Sequence, residues 1–106
     1  MVLPSFCLLC EQGEFVAFGQ FYNRLDRIHL ARLVVNPAFR GKGIAARLIN
    51  SLIQKGKAQL QLNSASLFVL SDNLPAVAAY QKSGFIKAQY PTRIPLENCE
   101  YMVKTG

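Results

Sequence analysis

The sequence predicts a small α/β (α+β) protein with six strands and two main helices. Six short apolar runs, separated by turn residues, have the length and composition of strands. Two longer segments, after Gly43 and after Asn73, repeat apolar residues at helical spacing. The chain has 106 residues, of which 51% are apolar, and this is enough for one buried core. We therefore interpret residues 1–106 as a single domain.

The first three strands precede a glycine loop. Residues 4–10 and 15–21 are apolar runs on either side of a turn at residues 11–14, a pattern typical of an antiparallel hairpin. A third apolar run at residues 28–35 carries almost no polar side chain after Arg32, which indicates a buried strand.

The first main helix begins after Gly43. Gly56 is a candidate for its end, but Ala58 and Leu60 continue the apolar stripe beyond it. We therefore expect Gly56 to be a weak interior position and the helix to stop near Asn63. The apolar side of this helix consists of Ala45, Leu48, Ile49, Leu52 and Ile53.

The second half of the chain contains the second helix and three more strands. Residues 65–70 form a short apolar run that reads as a buried strand. The polar residues 71–73 then cap a short helix that Gly84 ends. Residues 85–90 and 99–104 are predicted to be the two closing strands.

The glycine loop between the third strand and the first helix has the features of an anion site. Gly41 and Gly43 leave the backbone without Cβ atoms, so that consecutive N–H groups can turn toward one point at a helix N-terminus. The helix dipole attracts negative charge to this point, and Arg40, Lys42 and Arg47 surround it with positive charge. The loop therefore predicts a bound phosphate or pyrophosphate. A tight turn without a ligand is the alternative.

Two segments together resemble the GNAT superfamily of N-acetyltransferases. The first is similar to the cofactor loop of that family and consists of Arg40, Gly41, Lys42, Gly43, Ile44 and Ala45. The second spans residues 73–85 and resembles the family's later helix, with a leading Asn73, Tyr80 seven residues on, and a terminal Gly-Phe pair. The resemblance implies a mixed, mostly antiparallel central sheet of about six strands. It covers nearly all of this chain but only about the last two thirds of the family domain, without the usual first strand and first two helices.

The resemblance also implies where the cofactor lies. The co-substrate is acetyl-CoA, no metal is involved, and the loop residues 40–45 hold the pyrophosphate. The pantetheine arm lies where the third and fourth strands of this chain separate, with hydrogen bonds to the backbone of Leu33, Val34 and Val35. Asn73 contacts the same arm, and its alternative role is that of a plain helix cap.

Tyr80 is the candidate catalytic residue that the resemblance supplies. The matching tyrosine in the family is close to the cofactor sulfur, and a phenol with a pKa of about 10 can protonate a departing thiolate at neutral pH. The alternative from helical spacing alone is that Tyr80 packs with Val77 and Phe85.

The sequence leaves the general base unassigned. Arg32 and Phe68 stand in the regions where some family members have a glutamate. His29 is the only histidine, and its ordinary pKa suits the task, but a lone histidine in a strand is more often structural. Glu100 and solvent water have no better support.

The implied activity is transfer of an acetyl group from acetyl-CoA to a primary amine, by direct attack in a ternary complex. The acceptor is either a small amine or a protein amine. A non-catalytic CoA-binding domain of regulatory or vestigial character is the second hypothesis. A nucleic-acid-binding module is the third, because the net charge is +6, but the basic residues are dispersed rather than gathered into one run.

The remaining features concern cysteines, location and assembly. Cys7, Cys10 and Cys99 form no metal or redox pattern with a nearby histidine, and we interpret them as structural thiols. No apolar run approaches membrane-spanning length and the start does not resemble a secretory signal, so we expect a cytoplasmic protein without a membrane partner. The absent first strand of the family leaves a sheet edge to be covered, which predicts a homodimer.

Overall fold

The computed structural model describes residues 5–39, 41 and 43–105, and the side chains of the first strand from Leu9 onward. Six strands and two helices occur in these residues, as the sequence predicts, together with one 3-10 turn. In chain order they are β1 (Ser5–Glu11), β2 (Glu14–Arg24), β3 (Arg27–Val35), the 3-10 turn (Pro37–Phe39), α1 (Ile44–Leu60), β4 (Ala65–Leu70), α2 (Leu74–Lys82), β5 (Ile86–Ala88) and β6 (Cys99–Lys104).

The strands form one mixed sheet in the order β1-β2-β3-β4-β6-β5. Every neighbouring pair is antiparallel except β3 and β4, which are parallel. A parallel pair needs a crossover connection, and α1 supplies it. The prediction of a mostly antiparallel sheet is confirmed.

Helix α1 packs closely on one face of the sheet because two contact positions lack a side chain. A Cβ atom on Gly56 of α1 would be 2.4 Å from Cγ2 of Ile28 on β3. A Cβ atom on Gly19 of β2 would be 2.7 Å from Cδ1 of Leu52 on α1. Gly56 is therefore an interior position, as expected, and its helix-weakening effect is offset by close packing.

Helix α1 ends at Leu60, slightly before the expected stop near Asn63. Gln61 adopts the left-handed conformation with φ 56°, and its N–H donates to the carbonyl of Lys57. This is a C-cap built from a residue other than glycine, which the sequence gives no strong signal for. The core on this face includes Leu48, Leu52, Ile28, Leu67 and Met102, each almost completely buried.

Helix α2 has clear signals at both ends. Asn73 is its N-cap, and its Oδ1 accepts a hydrogen bond from the backbone N–H of Ala76 at 3.3 Å. Gly84 has φ 100°, and the next N–H, that of Phe85, donates back to the carbonyl of Tyr80 at 3.0 Å. Phe85 is fully buried at this turn, so β5 begins at Ile86 and not at residue 85 as predicted; it also ends earlier, at Ala88 instead of residue 90.

Within the described residues, no helix is long and apolar enough to cross a membrane. The same part of the chain contains no cluster of three or more His, Cys, Asp or Glu side chains that could hold a metal ion. Cys10 and Cys99 are free thiols, and the side chain of Cys7 is outside the described residues.

Candidate functional site

A gap opens between β3 and β4 where their pairing stops. The two strands are paired only from Ile28 to Leu30 on β3 and from Ala65 to Leu67 on β4. Beyond Leu30, Arg32 has a positive φ of 55°, and the register of the neighbouring pair β2–β3 shifts between Phe18 and Gln20. Such a bulge bends the strand away from its partner. The gap has a volume of about 210 Å³ and is lined by residues that include Leu33, Phe68, Asn73 and Tyr80.

The backbone of β3 presents polar groups to this gap at alternate residues. The N–H of Asn36 donates to the carbonyl of Val16 at 2.7 Å, which continues the antiparallel register of Val34 with Phe18. Hydrogen bonds of an antiparallel pair alternate along the strand, so the peptide groups of Val34 face β2. The N–H and C=O of Val35 and the C=O of Leu33 therefore face the other way, away from β2. The direction of the Leu33 N–H does not follow from this alternation, because Leu33 is next to the bulge at Arg32.

The glycine loop has the backbone conformation that its glycines permit. Gly41 has φ 80° and Gly43 has φ 69°, a region that other residues rarely adopt. A Cβ atom at either position would meet no atom within 4 Å, so the space in front of both is open. Arg40 and Lys42, two of the predicted cofactor-binding residues, are outside the described residues.

The open space in front of the loop has a volume of about 620 Å³. Its lining includes Val35, Gly41, Gly43, Asn73 and Ala76, so that it adjoins the gap through the two residues Asn73 and Ala76. The N-cap of α1, Gly43, has no side chain with which to bond the first N–H groups of the helix. These donors and the positive end of the helix dipole make the loop a site for negative charge.

Among the first residues of α1, Ile44 is buried in the core, whereas Ala45 and Arg47 are exposed. Ile44 is 4% exposed and its side chain belongs to the core, so that only its backbone can face a ligand. Ala45 is exposed and lines the space in front of the loop. Arg47 was expected to add positive charge here, but its guanidinium lies 3.6 Å from the carboxylate of Glu11, which partly neutralises it.

The groove continues between α1 and α2. A space of about 400 Å³ shares Gly43, Ala45 and Ala79 with the one in front of the loop. Lys82 and Lys104 also line it and make this end positive. Our sequence reasoning did not identify either lysine. Lys82 lies two residues after Tyr80 inside a recognised segment, whereas Lys104 on β6 reaches the groove only through the tertiary structure.

Tyr80 is at the opposite end of the groove, in the gap. Its ring packs edge to face on Phe85 with centroids 6.2 Å apart, so the packing role considered from the sequence is also present. Burial raises the pKa of the Tyr80 phenol above its ordinary value of 10.0. The hydroxyl therefore keeps its proton at neutral pH.

Asn73 has the capping role that the sequence offered as one of its two alternatives. Its side chain caps α2, and the same residue lines both the gap and the space in front of the glycine loop. The cap fixes the position of the amide at the junction of the two spaces.

His29 is a structural residue in this fold. It is 2% exposed, its Nδ1 is hydrogen-bonded to the hydroxyl of Ser66 at 2.8 Å, and its ring packs against Tyr22 and Phe68. Burial, with a smaller effect from the charge of Arg24, lowers the pKa of His29 from 6.5 to about 4. The ring is therefore neutral at pH 7, and it does not line the gap.

No histidine or carboxylate among the described residues lines the gap. Glu100, another residue considered as a base, is on β6 and accepts a hydrogen bond from the hydroxyl of Ser71 at 3.4 Å. The site thus contains an acid candidate, Tyr80, and backbone donors, but no side chain of the usual general-base type in that part of the chain.

The fold and the groove define an α+β protein in which a parallel strand pair opens beside a glycine loop at a helix N-terminus. The Acetyltransferase (GNAT) family matches residues 3–85, and the chain belongs to this family.

Relatives in this family acetylate different amines. The chain is 24% identical over 104 residues to the spermine/spermidine N(1)-acetyltransferase of Bacillus subtilis, a match that covers 91% of this chain and 66% of the relative. It is 33% identical over 75 residues to the [ribosomal protein bS18]-alanine N-acetyltransferase of Haemophilus ducreyi, covering 71% of this chain and 51% of the relative. This chain therefore spans between half and two thirds of the length of these relatives.

The fold is also that of solved acetyltransferase structures. The PaiA N-acetyltransferase from Thermoplasma acidophilum, solved in complex with coenzyme A, superposes with a TM-score of 0.79. The sequence identity is 19%, and the match covers 95% of this chain and 60% of that one. The predicted family and fold are confirmed by these similarities.

Proposed function

We propose that this chain binds acetyl-CoA and transfers its acetyl group to a primary amine. The observation that carries the proposal is the continuous groove, which runs from Lys82 and Lys104 past the two glycines of the loop to Tyr80 in the gap. The groove has a positive end, then an anion-binding loop, then the gap beside β3. This order matches the 3′-phosphate, the pyrophosphate and the pantetheine arm with its thioester in acetyl-CoA.

The loop is proposed to bind the pyrophosphate. The backbone N–H groups of Gly41, Gly43, Ile44 and Ala45 supply donors, and we retain Arg40 and Lys42 as cationic contacts from the sequence motif. The two lysines at the far end of the groove suit the 3′-phosphate of the cofactor, because each supplies a mobile positive charge.

The gap is proposed to hold the pantetheine arm. Its amides pair with the carbonyl of Leu33 and the peptide groups of Val35, which face away from β2, while the N–H and C=O of Val34 are engaged with β2. Asn73 contacts the arm where the gap meets the loop. In this position the arm continues the sheet as a short extra strand.

With the cofactor in this position, the acetyl transfer takes place in the gap, beside Tyr80. The nitrogen of the acceptor amine attacks the thioester carbonyl, a C–N bond forms, and the C–S bond breaks. A backbone N–H of β3 near Val35 stabilises the charge on the carbonyl oxygen in the transition state. Tyr80 donates its proton to the departing thiolate and regains one from solvent, while the amine releases one proton, so that charge balances.

A CoA-binding domain without catalysis is the second candidate. The observation in its favour is that no carboxylate or imidazole lines the gap in the described residues. Release of free thiol that depends on an added amine distinguishes the two candidates, because only an active transferase produces it.

The test of the cofactor site is calorimetric titration with acetyl-CoA. We expect micromolar binding by the unmodified chain and at least about tenfold weaker binding by Gly43→Glu, because a carboxylate then occupies the anion position. Gly13→Glu is the matched control, since Gly13 also has a positive φ, 77°, and open space around it, but lies in the β1–β2 turn. Equal affinity of both variants, or no binding by the unmodified chain, would refute the proposed site.

A further inference from the structure

Arg32 is the one charged side chain among the described residues that line the gap. It stands at the bulge of β3 with φ 55°, and a bulge redirects the side chain that it carries. Its Nη1 donates a hydrogen bond to Oε1 of Gln20 at 3.0 Å, and the side chain is exposed. Because Gln20 is neutral, the guanidinium keeps its full charge and further N–H donors on the β2 side of the bulge, beside the gap that the same residue lines.

Two more guanidinium groups occur on the same side of the sheet. Arg24 lies 5.1 Å from the ring centroid of Phe68, which itself lines the gap, and its Nε donates to the hydroxyl of Tyr90 at 2.9 Å. Nη1 of Arg27 donates to the hydroxyl of Tyr101 at 3.2 Å. These partners are phenols and rings, which orient the cations without neutralising them.

No carboxylate of the described residues lines the gap. Asp26 is in the β2–β3 turn, Asp72 is exposed in the turn before α2, and Glu100 accepts its bond from Ser71. The salt bridge between Arg47 and Glu11 involves α1 and β1 and not the gap. The charged residue in the described lining of the gap is therefore positive.

We infer that the acceptor is a primary amine that also carries a carboxylate, as amino acids and short peptides do, and that Arg32 determines this specificity. The inference rests on the proposed transferase function. The planar guanidinium matches a carboxylate in a two-pronged hydrogen bond. A polyamine would instead bring two or more positive charges to a positive gap and be repelled.

The test uses a matched pair of acceptors, glycylglycine and glycylglycinamide, which differ only in a terminal carboxylate or amide, and spermidine as a cationic third. Amine-dependent thiol release gives kcat/KM for each. We expect the unmodified chain to prefer glycylglycine to its amide by about tenfold and to use spermidine least. Arg32→Gln should remove the preference through KM, whereas the matched control Lys55→Gln, at an exposed position of α1, should keep it.

Equal use of the dipeptide and its amide, preference for spermidine, or an Arg32→Gln variant that keeps the preference would overturn the inference while leaving the transferase function intact. Absence of thiol release with every amine would refute the transferase function instead. In that case NMR titration of the CoA-saturated chain with the same two dipeptides decides the inference: tighter, Arg32-dependent binding of glycylglycine supports it, and equal binding overturns it. If acetyl-CoA itself does not bind, both proposals fail together.

Discussion

Burial acts on Tyr80 and His29 through the same physics and leaves both neutral. Removing a group from water disfavours its charged form, which raises the pKa of the Tyr80 phenol and lowers the pKa of the His29 imidazole. The consequences differ because of position. Tyr80 lines the gap and can donate its proton there, whereas His29 is hydrogen-bonded to Ser66 inside the sheet.

Tyr80→Phe removes the phenol hydroxyl and keeps the ring that packs on Phe85. If Tyr80 protonates the thiolate, kcat should fall by about a hundredfold or more, since general acids contribute roughly 10²–10⁴-fold. Acetyl-CoA affinity, measured by calorimetry, should change little, and the unfolding midpoint should stay close to that of the unmodified chain. In the unmodified chain, loss of the Tyr80 proton should not lower kcat until above pH 10, because the donor loses its proton only beyond its raised pKa. An unchanged kcat in Tyr80→Phe would assign the residue to packing alone.

His29 makes stability depend on pH in a defined window. Its folded pKa of about 4 is below the unfolded value of 6.5, so the unfolded chain binds the proton first as the pH falls. Stability should therefore be unaffected above pH 6.5 and decrease as the pH falls toward 4, by at most about 3 kcal/mol.

The measurement is urea unfolding across that window, with His29→Asn as the comparison. Asn can keep a hydrogen bond to Ser66 but does not titrate, so the part of the pH dependence due to the imidazole should be absent in this variant. Carboxylates contribute equally to both proteins. Parallel stability curves for the two proteins would contradict the assignment.

At the scale of single elements, α1 determines where the anion site lies. Its N-terminus is next to β3 because the helix axis runs close to the sheet, and that closeness depends on Gly19 and Gly56. Neither glycine has a positive φ, so the requirement at both is space and not backbone conformation.

Gly56→Ala tests the close contact. Alanine is about 1 kcal/mol better than glycine in a helix, but the new Cβ would overlap with Ile28, and such overpacking costs roughly 1–3 kcal/mol. We expect net destabilisation in urea unfolding. The variant Ile28→Ala removes the side chain that the new Cβ would meet. In a double-mutant cycle, adding Gly56→Ala to Ile28→Ala should therefore leave the free energy of unfolding unchanged or increase it. Stabilisation by Gly56→Ala in the unmodified background would show that the helix can move away from the sheet without cost.

At the scale of the whole molecule, β1 is an edge strand of the described sheet, paired only with β2. An edge strand exposes unpaired N–H and C=O groups and is a template for a second chain. We therefore keep the prediction of a homodimer that pairs through β1. Sedimentation velocity over a wide concentration range, with reductant present because Cys10 is an exposed thiol, should show association.

A lysine substitution on each edge strand, β1 and β5, tests which edge of the sheet forms the dimer. Cys10→Lys, at an exposed position of β1, should shift the association toward monomer, because edge lysines oppose strand pairing. Ile86→Lys, on the opposite edge strand β5 and also exposed, should leave it unchanged. A monomer at all concentrations would end the dimer prediction.

Much of the fold could be predicted because its signals are local. The apolar periods of α1 and of the strands, the cap Asn73 and the stop Gly84 each act within a few residues, so they were correctly placed. The boundaries that were wrong depend on distant partners. Phe85 is buried in the core instead of continuing β5, and Gln61 ends α1 in a left-handed conformation that carries no strong sequence signal.

The sequence by itself determined the family, the strand-loop-helix unit and the presence of glycines in a loop that needs positive φ. The tertiary structure alone decided which groups meet around the groove. Lys104 and Arg32 come from different strands, Tyr80 comes from α2, and their common surface exists only because β3 and β4 separate. Local patterns fix backbone conformation through short-range sterics and hydrogen bonds, whereas the charge and shape of a cleft arise from residues far apart in the chain.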